Sequence, residues 1–168
     1  MTTSLDDLAR AWNALYRGNP RVPYAGFDAA LIMLAAAALD GPPARISHRG
    51  HADIPPWLME GLVATLKAWL TGKARTCRHD PMPDRPSPVF GAAWRPGMVT
   101  CPPCAALLGG RDNTVEGMTC DKCARVVSGV EHGDGIHPSV VQVGLLLYQF
   151  GVCGPCRQAE VNGEGGAP

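Results

Sequence analysis

Apolar side chains at helical spacing in the first half of the chain, and paired cysteines between short strand-like runs in the second half, predict an α+β protein. We expect a helical domain, a small helical bundle, over residues 1–75. It is followed over residues 76–158 by a double metal-binding domain made of two small ββα units. Residues 159–168 end in Gly-Glu-Gly-Gly-Ala-Pro, a composition that predicts a disordered tail.

The first two helices of the bundle are predicted from apolar spacing. Residues 4–17 carry Leu, Trp and Tyr on one helical face, and Asp6 and Asp7 suit the positive end of the helix. Residues 26–39 are apolar nearly all round, so we expect this helix to be buried between neighbours. The following link over residues 41–53 contains His48 and His51, which are predicted to be solvated in a loop.

A third helix follows this link. Asp53 is predicted to cap it, Pro55 or Pro56 to occupy its first position, and Gly72 to end it. Its apolar side chains are expected to form core, or to contact the metal-binding half. They are Trp57, Leu58, Leu62, Leu66, Trp69 and Leu70.

The second half contains all seven cysteines, six of them in three Cys-X-X-Cys pairs. A fourth pair, Cys77-Arg-His79, provides an eighth candidate ligand. Zn²⁺ takes four thiolate or imidazole ligands in a tetrahedron, and a two-residue gap lets one turn present two sulfurs to one metal. Four pairs therefore predict two structural Zn²⁺ sites. The predicted ligands are Cys77, His79, Cys101, Cys104, Cys120, Cys123, Cys153 and Cys156.

The ligand pairs recur in an imperfect duplication. In each copy a ligand turn is followed by a hairpin, a second ligand pair and a short helix. The first hairpin is predicted over 89–93 and 98–100, with a short helix after Cys104 through Leu108. The second copy has strands within 140–150, broken near Gly144.

This order resembles the treble-clef zinc finger, whose last two ligands lie at the start of a helix. The resemblance covers about half of the chain and implies sequential pairing. Cys77 and His79 would share a metal with the pair at 101 and 104, and the pair at 120 and 123 with the pair at 153 and 156. A zinc ribbon, joining the second pair to the third, and a cross-braced arrangement, joining the first to the third and the second to the fourth, stay open.

Charge and composition favour a binding protein. The formal net charge is zero, and residues 77–156 carry six Lys or Arg against seven Asp or Glu, whereas a phosphate-binding module is normally basic. The N-terminus lacks a secretory signal, so cysteine pairs are expected to bind metal in a reducing cytoplasm, and no segment predicts a membrane span. The composition suggests a GC-rich bacterial genome. We expect a non-enzymatic adaptor or regulatory protein whose structural zinc sites hold a surface for another protein.

Three alternatives remain. A nucleic-acid-binding zinc-finger protein, such as a regulator or mobile-element product, would gather basic side chains on one face and, if they are exposed, stack Trp94 and Tyr148 on bases. The basic side chains are Arg78, Arg85, Arg95, Arg111, Lys122 and Arg125. Cys153-Gly-Pro-Cys156 matches the thioredoxin active-site motif, but only twelve residues follow Cys156. The loop over residues 131–138 contains His, Asp and Glu and could support a metal-dependent nuclease.

Overall fold

The computed structural model describes the second half of the chain and a little of the first. The described ranges are residues 47–49, for which only the backbone is described, 54–82, 88–109, 114–127, 135–143 and 145–162. The predicted helices over 4–17 and 26–39 lie outside these ranges. The helical bundle over 1–75 therefore stays a prediction. The disordered tail predicted over 159–168 is wrong for residues 159–161, which are helical, and stays a prediction beyond residue 162.

The described residues form an α+β fold, as the sequence predicts. The helices are α1 (Pro56–Leu70), a 3₁₀ helix (Pro102–Leu108) and α2 (Gly154–Val161). The strands are β1 (Ser47–Arg49), β2 (Arg75–Thr76), β3 (Val89–Ala92), β4 (Met98–Val99), β5 (Ile136–Val143) and β6 (Leu146–Cys153).

Helix α1 begins at the predicted prolines and ends just before the predicted glycine, Gly72. Pro55 is the N-cap, with extended backbone and no side-chain cap, and Pro56 occupies the first helical position as predicted. The prediction that Asp53 caps the helix is wrong, because the helix starts too far along the chain. At the other end Gly72 has a φ of +67°, a conformation that glycine adopts without a steric penalty, and the helix stops there.

The main sheet has four strands in the order β1-β5-β6-β3. Strands β5 and β6 form the antiparallel hairpin predicted for the second copy, from Ile136 opposite Cys153 to Val143 opposite Leu146. Strand β3 pairs with β6 in parallel, from Val89 opposite Leu146 to Ala92 opposite Gln149. The two copies of the duplication therefore share one sheet.

The hairpin predicted for the first copy is divided between two sheets. Strand β4 pairs in parallel with β2, whereas β3 belongs to the main sheet. The two strands keep one antiparallel bridge, in which Phe90 and Thr100 exchange two backbone hydrogen bonds of 2.9 Å. All four residues of β3 are buried although β3 is an edge strand of the main sheet, so both of its faces are covered.

The strand β1 corrects the loop predicted over residues 41–53. Ser47 lies opposite Ser139 and Arg49 opposite Val141, so the backbone around His48 is part of the sheet and not of a free loop. A three-residue strand is too short to produce the alternating pattern by which strands are recognised in a sequence.

Helix α1 packs against the sheet around Tyr148, whose side chain is fully buried. A Cβ placed at Gly91 would lie 3.0 Å from Tyr148 Cδ2, and one at Gly61 would lie 3.1 Å from the hydroxyl oxygen. Two glycines thus make room for the ring between helix and strand. The predicted domain boundary at residue 75 falls within β2, and one core extends across it. Its largest buried members are Trp69, Tyr148, Phe90, Phe150, Leu62, Leu66, Leu108, Leu146 and Leu147.

Candidate metal centres

The first site brings together Cys77, His79, Cys101 and Cys104, whose four ligand atoms lie within 4.8 Å of one another. The Sγ atoms of Cys77 and Cys101 are 3.6 Å apart. His79 Nδ1 lies 3.4 Å from Cys101 Sγ and 3.2 Å from Cys104 Sγ. His79 would therefore bind through Nδ1.

The second site brings together Cys120, Cys123, Cys153 and Cys156, again with all four sulfurs within 4.8 Å. The Sγ atoms of Cys123 and Cys153 are 3.8 Å apart. The backbone N–H of Cys153 donates to Cys120 Sγ at 3.3 Å, a bond that favours a thiolate.

Both sets have the dimensions of a tetrahedral zinc site. Zn–S bonds of about 2.3 Å and Zn–N bonds of about 2.0–2.1 Å at tetrahedral angles place two sulfurs about 3.8 Å apart and a nitrogen about 3.6 Å from a sulfur. The S···S separations of 3.6 and 3.8 Å and the N···S separations of 3.2 and 3.4 Å lie close to these values. Thiolate and imidazole donors also suit Zn²⁺ better than a hard cation. The residues present fit the metal.

The last two ligands of each site lie in the same way at the start of a helix. Cys101 is the N-cap of the 3₁₀ helix with φ −73° and ψ 162°, and Cys153 is the N-cap of α2 with φ −70° and ψ 161°. The fourth ligands, Cys104 and Cys156, then fall at the third helical position. Amides and the dipole at a helix start stabilise negative sulfur. This geometry matches the predicted treble-clef order in both copies.

The first two ligands of each site lie on a tight turn that ends in a left-handed residue. Asp80, after His79, has a φ of +44°, and Ala124, after Cys123, has a φ of +58°. The Asp80 N–H donates to the Cys77 carbonyl at 2.9 Å, and the Ala124 N–H donates to the Cys120 carbonyl at 2.8 Å. A left-handed conformation costs a non-glycine residue about 1–2 kcal/mol. Its recurrence after both ligand turns shows that the duplication extends to the backbone.

The thiols within each site have pKa values that are shifted in different directions, so they do not ionise together. Burial and the neighbouring thiols Cys77 and Cys104 raise the pKa of Cys101 to about 11. At the second site the backbone amide of Arg125 holds the pKa of Cys123 below its ordinary value, while burial raises that of Cys156. Like charges this close cannot all form without a cation. A bound divalent cation would supply the charge that lets every thiol ionise.

Asp121, between the ligands Cys120 and Cys123, ties their turn to strand β6. Its backbone N–H donates to the Gly151 carbonyl at 2.9 Å, and its Oδ2 accepts the Gly151 N–H at 2.6 Å. Burial raises the pKa of Asp121 to about 6, opposed by the hydrogen bond from Gly151. The sequence analysis missed this residue, because its partner lies 30 positions away.

Glu160 connects α2 to the rest of the second site. Its Oε1 accepts a hydrogen bond of 3.1 Å from Trp57 Nε1 on α1 and lies 3.9 Å from Lys122 Nζ. The Trp57 ring also meets Phe150 edge to face, with centroids 5.6 Å apart. No sequence signal marks Glu160, because Trp57 is 103 positions away.

The eight predicted ligands thus fall into the two sequential sets. The ribbon set would need the pair at 101 and 104 beside the pair at 120 and 123, and the cross-braced sets would mix the copies. Neither grouping is among the clusters formed by the described residues.

The side chains assigned to nucleic-acid stacking are placed differently. Tyr148 is fully buried, so the exposure that stacking on a base requires is absent. Trp94 is half-buried, and its Nε1 donates to the Leu108 carbonyl. Arg95 pairs with Glu116 at 3.2 Å. Arg85 and Arg111 lie outside the described residues.

The residues considered for enzyme activity are only partly described. Cys153 and Cys156 lie in the four-thiol cluster, and the described chain after them is one helix of eight residues. Of the loop over 131–138, residues 131–134 fall outside the described ranges. His137 lies in β5, where Arg157 donates to its Nδ1 at 2.9 Å.

Comparisons with protein-family models, curated proteins and solved structures found no match for this chain. Among the described helices, none combines the length and the apolar character that crossing a membrane requires.

Proposed function

We propose that this protein is a non-enzymatic zinc-binding adaptor or regulator whose two structural zinc ions hold a surface that binds another protein in the cytoplasm. The observation that supports it best is the pair of closed four-ligand clusters, each joined to the start of a helix. A zinc ion with four protein ligands has no open position for water or substrate. Zinc bound there would supply cross-links between turns, strands and helices.

The described surface favours a protein partner. Three apolar side chains, Leu107, Val115 and Val126, are 55%, 66% and 50% exposed. As single exposed side chains they offer contacts to a protein partner and none to a phosphate. Two of the basic side chains considered for nucleic acid, Arg95 and Lys122, already lie beside Glu116 and Glu160.

Metal analysis tests the first part of the proposal. Protein purified without chelator should contain two zinc equivalents by mass spectrometry, since binding energy on the order of 10 kcal/mol per structural zinc contributes to folding. A content below one equivalent would contradict the proposal.

Nucleic-acid binding is the second candidate, supported by three exposed basic side chains near the first site. They are Lys73, Arg75 and Arg78, and no acidic residue lies between positions 67 and 79. Heparin chromatography of the zinc-loaded protein at low salt separates the candidates. A protein-binding adaptor should pass through, whereas retention that falls steeply with added salt would favour nucleic acid.

A further inference from the structure

Helix α2 has little packed apolar surface and is joined to the rest of the fold mainly by its ligands and by polar contacts. None of its eight residues is fully buried, and Cys156 is its one apolar residue among the partly buried ones that pack against the core. An isolated helix of fewer than about 12 residues is marginal in water, and protein helices owe their stability mainly to a packed apolar face. The helix therefore depends on specific attachments.

The first attachment is the second metal site. Cys153 is the N-cap of α2 and Cys156 lies in its first turn, and both join Cys120 and Cys123 in the four-sulfur cluster. A bound metal ion would cross-link the helix start to the ligand turn. Without it, the four side chains are separate groups with no bond that joins the helix start to the ligand turn.

The second attachment lies one turn beyond the ligands. Glu160 accepts the Trp57 indole N–H and lies beside the Lys122 ammonium, and its side chain is only 10% exposed. Arg157 adds a contact with His137 on β5. These polar bonds depend on a fixed helix start. If the segment were free, bringing Glu160 into place would require ordering eight residues, and the lost conformational entropy would oppose the contact.

We propose that α2 is a latch controlled by the metal at the second site, so that loss of that metal releases α2 from α1 while the sheet stays folded. The proposal rests on metal binding at this site, the proposed function above. Release would free the Trp57 indole and the Lys122 ammonium from Glu160. The protein would thus present one surface when loaded and another when the second site is empty.

Hydrogen exchange measured by mass spectrometry tests the latch, with zinc content determined on the same samples. Cys156→Ser removes a ligand of the second site, and Cys104→Ser is its matched control at the equivalent position of the first. In Cys156→Ser the amides of residues 158–162 should exchange at least about tenfold faster than in Cys104→Ser, while β5 and β6 remain protected. Unchanged exchange at 158–162 after zinc loss, or loss of protection throughout β5 and β6, would overturn the latch.

A second pair of variants tests the far end with all ligands intact. Glu160→Ala should keep two zinc equivalents and still exchange several-fold faster at residues 158–162. Gln158→Ala is the control, since Gln158 bonds Asn162 on the same segment and nothing on α1 in the described contacts. Equal exchange in the two variants would overturn the latch. If no variant or parent binds zinc, the proposed function fails, and protection of α2 in that metal-free protein would overturn the latch separately.

Discussion

Asp121 shows how one side chain can fix a ligand turn. Its carboxylate and its own amide form a reciprocal pair with Gly151, so the turn carrying Cys120 and Cys123 is joined to the strand that carries Cys153. The contact accompanies the metal cross-link without taking part in it.

Asp121→Ala should lower the free energy of unfolding of the zinc-loaded protein by about 1–3 kcal/mol, because the Gly151 amide loses its acceptor in a buried position. Chemical denaturation measures the loss. Asp121→Asn is the control: it keeps an oxygen acceptor without a buried charge and should recover most of the stability. An alanine variant as stable as the parent would show that water replaces the carboxylate.

Single residues divide clearly into those that the sequence predicts and those that it does not. The eight ligands could be predicted because two residues of a ligand pair face one metal across a single turn, which is a local property. Asp121 and Glu160 could not, because their partners are 30 and 103 positions distant and polar side chains occur on every surface. The burial of Tyr148 could not be predicted either, because its place between Gly61 and Gly91 depends on packing.

At the scale of elements, each site combines a ligand turn with the start of a helix that lies more than twenty residues further along the chain. Substitution of Cys77 by Ser or His79 by Ala should release about one zinc and leave the second site filled, because closed sites need four ligands. Cys153→Ser should do the reverse, and Cys120→Ser should resemble it. Metal analysis of the purified variants provides the measurement. Cys104 and Cys120 variants that lose the same zinc would contradict the sequential sets.

Strands were predictable where their partners are neighbours along the chain. The β5–β6 hairpin follows from two apolar runs with a break at residue 144. Strands β3 and β4 were predicted to pair with each other over their length, but β3 takes β6 as its partner and β4 takes β2. A pattern of apolar residues shows that a strand is buried and does not show which strand lies beside it.

At the scale of the whole molecule, the two copies and α1 form one folded body. The α+β class and the duplication were predictable, since each leaves a repeated pattern in the sequence. The joint between the copies was not, because it consists of backbone pairing between Val89–Ala92 and the start of β6.

The reactivity of the cysteines tests whether they are metal ligands in the folded protein. Zinc-loaded protein should react slowly with alkylating reagents and should not reduce insulin disulfides, because its thiolates are metal ligands and not a free dithiol. Chelator should expose all four cysteines of the second site together. Mass spectrometry of alkylated peptides measures this. Fast alkylation of Cys153 or Cys156 without zinc release would instead support the thioredoxin-like alternative.

The strand β1 has a consequence for solubility. Strand β3 of the first copy pairs in parallel with β6. Strand β5 of the second copy has a much shorter parallel partner, the three residues Ser47–Arg49. Without them the stretch Ser139–Val141 of β5 would lose its partner on that side, and unpaired strand edges template aggregation. Replacement of His48 by proline, which cannot donate to a strand ladder, should cause self-association with light scattering that rises with concentration, whereas a variant that stays monomeric would assign β1 no such role. By this argument, the three residues of β1 prevent a strand of another molecule from pairing with β5.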